Sequence, residues 1–147
     1  MTYVGFHMSP WLILHILALG VWIGCIATEA IVEHSVRDDA QRDYVADVHW
    51  PIDLYVETPA FLLTAFSGGM LLRNAATDWL LWAMAGAGLA AVGCNAACVA
   101  VVLARRNSRR RGDTVAYARL DDLQHKLGAL LVALLVVALA TGFARAL

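Results

Sequence analysis

Charged residues and cysteines are scarce in this chain. Only 16% of its 147 residues are Asp, Glu, Lys or Arg, whereas 61% are hydrophobic and the mean hydropathy is +0.65. So apolar a composition excludes an ordinary soluble domain and indicates an integral membrane protein. The three cysteines, Cys25, Cys94 and Cys98, all lie in apolar segments. We interpret them as small packing residues, which excludes a disulfide framework.

Four apolar stretches reach the roughly 20 residues that a transmembrane helix needs. They cover about 11–32, 50–72, 79–104 and 120–144. No basic segment precedes the first stretch and acidic residues follow it, so we expect a helix of the mature protein there, not a signal peptide. The predicted fold class is all-α, a single domain over 1–147 with four transmembrane helices in an up-down antiparallel bundle.

Basic residues are distributed unevenly over the predicted loops. Nine of the eleven fall on one side of the four spans, and Arg73 and Arg145 fall on the other. Because basic residues stay in cytoplasmic loops, both termini are expected outside, in the inner membrane of a bacterium. We interpret the arginine run 105–111 as a topology signal that contacts anionic lipid headgroups, with no nucleic acid as partner.

Ionisable residues cluster at the predicted cytoplasmic ends of the helices. His49, Asp53 and Glu57 are spaced four apart, which places them on one stripe of the second helix, and Pro59 follows with a potential kink. Such a stripe is costly in a membrane and indicates a functional site. The alternative is that His49 and Asp53 are interfacial and that Glu57 alone is buried, paired with a neighbour or protonated.

Other helices also have ionisable or polar residues near their predicted cytoplasmic ends. Asp122 and His125 are three apart, the carboxylate-x-x-His spacing of metal-binding bundles, although acids in a first turn also complement the helix dipole. Glu29 lies deep in the first helix, and the amide of Asn95 in the third helix needs a partner.

These residues together predict a transition-metal site of carboxylates and imidazoles, mononuclear or dinuclear, that could serve an oxidoreductase. Iron, manganese or zinc is favoured over copper. The predicted ligands are Glu29, His49, Asp53, Glu57, Asp122 and His125, with Glu33, His34, Asn95 and Asp121 as further candidates.

Two alternative functions fit the same residues. Two of His34, His49 and His125 could ligate haem in a porphyrin-handling protein. A small proton-coupled transporter could instead use Glu57 or Glu29 as its intramembrane carboxylate. The Gly/Ala-rich third helix also suits a homodimer.

The first helix contains Leu14-His15-Ile-Leu-Ala18-Leu-Gly-Val-Trp22-Ile-Gly24. This stretch resembles the LHxLAxxxWxG motif in the first helix of CopD-type copper-resistance membrane proteins and of HemJ-type protoporphyrinogen oxidases. The resemblance implies a four-helix membrane module that handles copper or haem, with His15 at the motif position. His7, Met8 and His15 could form an outward-facing copper or proton path.

Overall fold

The computed structural model describes residues 9–73 and 75–147, without the side chains of residues 39, 40, 42, 43 and 146, so that His7 and Met8 lie outside the described residues. All regular structure in these ranges is helical, which confirms the predicted all-α class. The elements are α1 (Pro10–His34), α2 (Asp39–Ile52), a π-helical segment (Asp53–Glu57), α3 (Thr58–Leu72), α4 (Trp79–Arg110) and α5 (Thr114–Ala146).

Local sequence explains where these helices begin. Asp38, Asp78 and Asp113 are N-caps whose carboxylates accept a hydrogen bond from a backbone N–H of the first turn. Pro10 occupies the first turn of α1, where its missing N–H costs nothing. Between α4 and α5 the chain reverses in three residues, and Gly112 there adopts a φ of 71°.

Three helices are long and apolar enough to cross a membrane, namely Pro10–His34, Trp79–Arg110 and Thr114–Arg145. The stretch predicted over 50–72 is built differently. Its helix begins at Asp39, well before the apolar run, and the π-helical segment separates the polar α2 from the 15-residue α3. The prediction of four spans is therefore confirmed for three helices, while the remaining one is shorter and less apolar.

Ion pairs show the relative directions of three helices. Arg105 near the end of α4 contacts both Glu33 at the end of α1 and Asp121 in α5. At the opposite end of the bundle, Arg145 of α5 contacts Asp78 at the start of α4. The helices α1 and α4 therefore end at the same end of the bundle, and α5 runs antiparallel to α4.

The apolar core lies midway along the bundle. The Trp22 and Phe61 rings meet at a tilted angle with centroids 5.9 Å apart, which packs α1 against α3. Ala91 is fully buried and lets α4 approach closely. Leu131 and Leu135 of α5 complete this cluster. The apolar core therefore contains residues from α1, α3, α4 and α5.

Candidate carboxylate site

Three carboxylates from two helices meet at the end of this core. Glu29 comes from α1, and Asp53 and Glu57 come from the two ends of the π-helical segment. One carboxylate oxygen of each lies within 4.8 Å of the others, an arrangement that could hold a metal ion. Asp53 and Glu57 are almost completely buried, at 2% and 4% exposure. We refer to these three residues as the carboxylate cluster.

Pro59 accounts for the π-helical segment that carries two of these acids. A proline inside a helix lacks an N–H, and its ring collides with the carbonyl four residues earlier, here that of Tyr55. A wider turn relieves this collision, and the Thr58 N–H accordingly bonds the Asp53 carbonyl five residues back. The Thr58 hydroxyl donates to the same carbonyl at 2.7 Å. Side-chain and backbone donors thus stabilise the irregular turn between Asp53 and Glu57.

A hydrogen-bonded chain from two further helices fixes Glu57. The Asn95 side-chain amide in α4 donates to Glu57 Oε2 at 3.0 Å, and Trp22 Nε1 in α1 donates to Asn95 Oδ1 at 2.9 Å. Asn95 and Trp22 are each 1% exposed. Because both Asn95 bonds are satisfied, the orientation of its amide is determined, and it presents an N–H to the carboxylate.

Two oxygens of the cluster lack such support. Glu29 Oε1 and Asp53 Oδ2 are buried, and neither has a hydrogen-bond partner in the described part of the chain. A buried acceptor without a partner is costly and indicates a proton, a water molecule or an ion. Glu29 lies seven residues from Trp22 at the middle of α1, about 10 Å along the axis. That depth falls within a hydrocarbon layer about 30 Å thick.

His49 lies one turn before Asp53 and is 2% exposed. Its Nε2 atom is buried and has no hydrogen-bond partner among the described residues. His49 does not belong to the group of ligand atoms that lie within 4.8 Å of one another. The predicted stripe is therefore buried over its full length, but its histidine is adjacent to the carboxylate cluster instead of part of it.

A second buried polar centre surrounds Arg105. Its Nη1 donates to Glu33 Oε1 and to Asp121 Oδ1, both at 2.7 Å, and its guanidinium lies 6.0 Å from the centre of the Tyr117 ring. Arg105 is 4% exposed, and the two acids are 21% and 32% exposed. Glu33 and Asp121, which the sequence offered as additional ligands, are thus engaged in an ion-pair network.

The remaining predicted ligands lie outside the cluster. Asp122 is exposed and pairs with Lys126 at 2.6 Å. His125 is exposed, and its Nδ1 lies 2.8 Å from the Asp121 carbonyl of its own helix. His34 is also exposed and bonds the Ala30 carbonyl. The structure therefore brings together Glu29, Asp53 and Glu57, and it does not bring His34, Asp122 or His125 to them.

His15 lies at the other end of α1. Its Nδ1 is 3.0 Å from the Thr64 carbonyl and 3.2 Å from the Ser67 hydroxyl, so it joins α1 to α3. Trp22 and Arg105 have roles that the sequence reasoning missed. Arg105 is the first arginine after the apolar run of α4, which was a usable signal for its burial, whereas nothing in the sequence indicated the bond from Trp22 to Asn95.

Comparisons of the chain with known protein families, with curated proteins and with solved structures find no match. The resemblance to CopD-type and HemJ-type proteins therefore depends on the motif around His15 alone, and it stays a prediction. A function has to be argued from the chemistry of the carboxylate cluster itself.

Proposed function

We propose that this chain is an integral membrane protein that binds a divalent metal ion at Glu29, Asp53 and Glu57. The observation that carries the proposal is the convergence of three carboxylates within 4.8 Å in the interior of a bundle. Ionisable groups at membrane depth are expensive, and where several converge they mark a functional site. The unpartnered oxygens of Glu29 and Asp53 supply acceptors that a cation would satisfy.

Charge supports a cation at this position. Three ionised carboxylates in a medium of low dielectric repel one another strongly, so they must bind protons or positive ions. The N–H that Asn95 donates to Glu57 is neutral and does not offset the charge of the cluster. A divalent ion would neutralise most of the charge on the cluster, and one shared proton would neutralise the rest.

The donor atoms favour a hard cation. All three ligands offer oxygen, the donor that suits Mn²⁺, Mg²⁺ and Ca²⁺, whereas imidazole and thiolate donors suit zinc and copper. Ligands at about 2.0–2.6 Å from one ion can be at most about 5 Å apart, which matches the spacing in the cluster. We therefore propose one Mn²⁺ ion, with iron as the other redox-active candidate, and an oxidoreductase as the activity it would support.

Trp22 and Asn95 would act on this ion indirectly. Hydrogen bonds to a ligating carboxylate hold it in the geometry that the metal needs, and their loss typically weakens metal binding 10- to 100-fold. Glu57 is the ligand that receives this support. Glu29 and Asp53 would be oriented by the metal itself.

We further propose four membrane spans in the inner membrane of a bacterium, with both termini on the outward face of that membrane. The arginines 105–111 lie at the bundle end that contains Glu33 and Asp121. That end would face the cytoplasm under the positive-inside rule. The carboxylate cluster would then lie in the cytoplasmic half of the bilayer, and the lipid bilayer itself would be the principal partner.

Titration with Mn²⁺ tests the proposal directly. The electron paramagnetic resonance signal of free Mn²⁺ is lost on binding, so the free ion can be measured beside purified protein in detergent. We expect E57Q, D53N and E29Q each to weaken binding at least about tenfold, the loss of one charged ligand. D122N is the matched control, because it neutralises an exposed carboxylate that lies outside the cluster and pairs with Lys126. Equal binding by all four variants would contradict the proposal.

A proton-coupled transporter is the second candidate, favoured by the closeness of the carboxylates. Groups within 4.8 Å can share protons, and a π-helical turn at the same residues provides an irregular backbone that can rearrange. A lipophilic cation, tetraphenylphosphonium, is a suitable probe for this class. Release of protons on its addition to metal-free protein, abolished in E57Q and accompanied by no Mn²⁺ binding, would select the transporter.

A further inference from the structure

A cavity of about 540 Å³ opens at the arginine-rich end of the bundle, away from the carboxylate cluster. Residues of α2, α4 and α5 line it. Three of them, Arg106, Arg109 and Arg110, are spaced so that they share one face at the end of α4. Asp47 of α2 and Tyr117 of α5 line the opposing walls. The volume lies within the range that binds small molecules.

Contacts across the cavity hold the arginines in place. Arg106 Nε donates to Asp47 Oδ1 at 2.8 Å, and Arg110 Nη2 approaches the same oxygen at 3.4 Å. The Arg109 guanidinium lies 5.1 Å from the centre of the Tyr117 ring, within the range of a cation–π interaction. Side chains already ordered lose less conformational entropy when a ligand binds. The cavity is therefore preorganised and is not a set of unrestrained surface arginines.

The charge of the lining residues favours an anion. Among the described residues that line the cavity, three arginines outnumber two acids, Asp47 and Asp113. Asp113 is engaged as the N-cap of α5, where it accepts from the Ala116 N–H at 2.9 Å. Guanidinium groups bind phosphate through paired, charge-assisted hydrogen bonds, which makes a phosphate group the best match.

The depth of the cavity indicates the source of that phosphate. Trp79 at the start of α4 and Arg106 are 27 residues apart, about 40 Å along the helix. A bilayer with its headgroups is about 40–45 Å thick, and tryptophan concentrates at its interfaces. If the exposed Trp79 lies at one interface, the arginines lie among the headgroups of the other leaflet.

We propose that this cavity binds the phosphate group of an anionic lipid headgroup in the leaflet that faces the arginine-rich end. The ligand differs in charge and chemistry from the metal ion of the carboxylate cluster, so either proposal can fail alone. A lipid in this cavity would contact α2, α4 and α5 at once. It would thereby stabilise the arrangement of the three helices.

The test is lipid binding by the delipidated full chain in an uncharged detergent, measured by native mass spectrometry. The probes are dioctanoyl phosphatidylglycerol, phosphatidylcholine with the same chains, and glycerol phosphate. We expect phosphatidylglycerol to bind at least about tenfold more tightly than the other two, because only it combines net negative charge with acyl chains. Glycerol phosphate that binds as tightly as the lipid would assign a soluble phosphate compound and overturn the lipid proposal.

Variants distinguish lipid binding in this cavity from a general attraction between anionic lipids and the arginines. R106Q combined with R110Q should weaken phosphatidylglycerol binding at least about tenfold, the loss of two charge-assisted contacts. D47N should strengthen it, because the competing negative charge is removed while the amide oxygen can still accept the hydrogen bond that orders Arg106, whereas a mere folding defect would weaken binding in both variants. R111Q is the matched control, since Arg111 is exposed and lies outside the cavity lining. An equal loss in R111Q, or weaker binding by D47N, would overturn the proposal.

Discussion

The Asn95 amide of α4 donates a hydrogen bond of 3.0 Å to the Glu57 carboxylate at the end of the π-helical segment. The two residues are 38 positions apart in the sequence, so this bond joins two separate helices. Asn95 can serve Glu57 in this way only while Trp22 satisfies its carbonyl oxygen. The orientation of a buried carboxylate thus depends on an indole from a third helix.

The substitution Trp22→Phe should show how much the hydrogen bond from Trp22 to Asn95 contributes to stability. A six-membered aromatic ring is retained, but Asn95 Oδ1 loses the indole N–H that donates to it at 2.9 Å. An unsatisfied buried acceptor costs about 1–3 kcal/mol, so we expect the free energy of unfolding in detergent to fall by that amount. Trp82→Phe is the matched control, because Trp82 is 59% exposed. Equal losses in the two variants would mean that the hydrogen bond contributes nothing.

Arg105→Gln should destabilise the end of the bundle. The substitution removes a buried cation and leaves Glu33 and Asp121 facing each other without it. Breaking a fully buried pair costs about 3–5 kcal/mol, and because both acids are partly exposed we expect about 2–3 kcal/mol. Chemical unfolding in detergent gives the value. Arg119→Gln, at an exposed position of α5, should change stability by less than about 0.5 kcal/mol.

Two neighbouring glycines should respond differently to alanine. A Cβ at Gly68 would lie 3.1 Å from His15 Cε1, whereas a Cβ at Gly69 would meet nothing within 4 Å. Alanine stabilises a helix interior over glycine by about 0.5–1 kcal/mol, so Gly69→Ala should raise the melting temperature. Gly68→Ala should lose this gain, because the imidazole must move from Thr64 and Ser67. A Gly68→Ala variant as stable as Gly69→Ala would show that the α1–α3 contact is loose there.

Asp78 should make stability depend on pH at the end opposite the arginines. The hydrogen bond from Arg145 Nε, with that from the Leu81 N–H, holds the pKa of Asp78 below its ordinary value of 3.8. A lowered pKa in the folded state stabilises the fold above the ordinary value, and this stabilisation is lost as the pH falls through the lowered pKa. Asp78→Asn should therefore melt below the native chain at neutral pH.

The same comparison at low pH provides the internal control. Below the lowered pKa of Asp78 the native carboxyl is itself protonated, so the melting temperatures of the two chains should converge. The expected difference is small because the residue is exposed. A difference that is equally large at neutral and acidic pH would assign the effect to helix capping alone.

Sequence periodicity predicted the stripe of His49, Asp53 and Glu57 correctly as buried, because spacing along one helix is a local property. The sequence also predicted that Glu29 lies inside the membrane, because its depth in the first span follows from counting residues. It was harder to predict from the sequence which side chains of different helices meet. Asp122 and His125 have a ligand-like spacing, yet the rotation of α5 leaves both exposed and outside the carboxylate cluster, and no local pattern determines that rotation.

The second predicted span also combines features that the sequence shows with features that only the structure shows. Its apolar run and Pro59 are visible in the sequence, and they led to the expectation of a kinked helix over 50–72. The helix instead begins at Asp39 and passes through a π-helical turn. Whether a proline produces a kink or a wider turn depends on which backbone and side-chain donors are at hand, and here the N–H and hydroxyl of Thr58 both bond the Asp53 carbonyl and stabilise the wider turn.

The sequence by itself determined the all-α class, the three membrane-capable helices and the unequal distribution of arginines, because these follow from composition, length and local spacing. Only the tertiary structure decided which acids meet. Helix rotation and the hydrogen bonds of Asn95 and Arg105 placed Glu57 in the carboxylate cluster and Glu33 in an ion pair. The physical reason is that burial cost acts on any acid in a membrane, whereas the partner that compensates it depends on packing between helices.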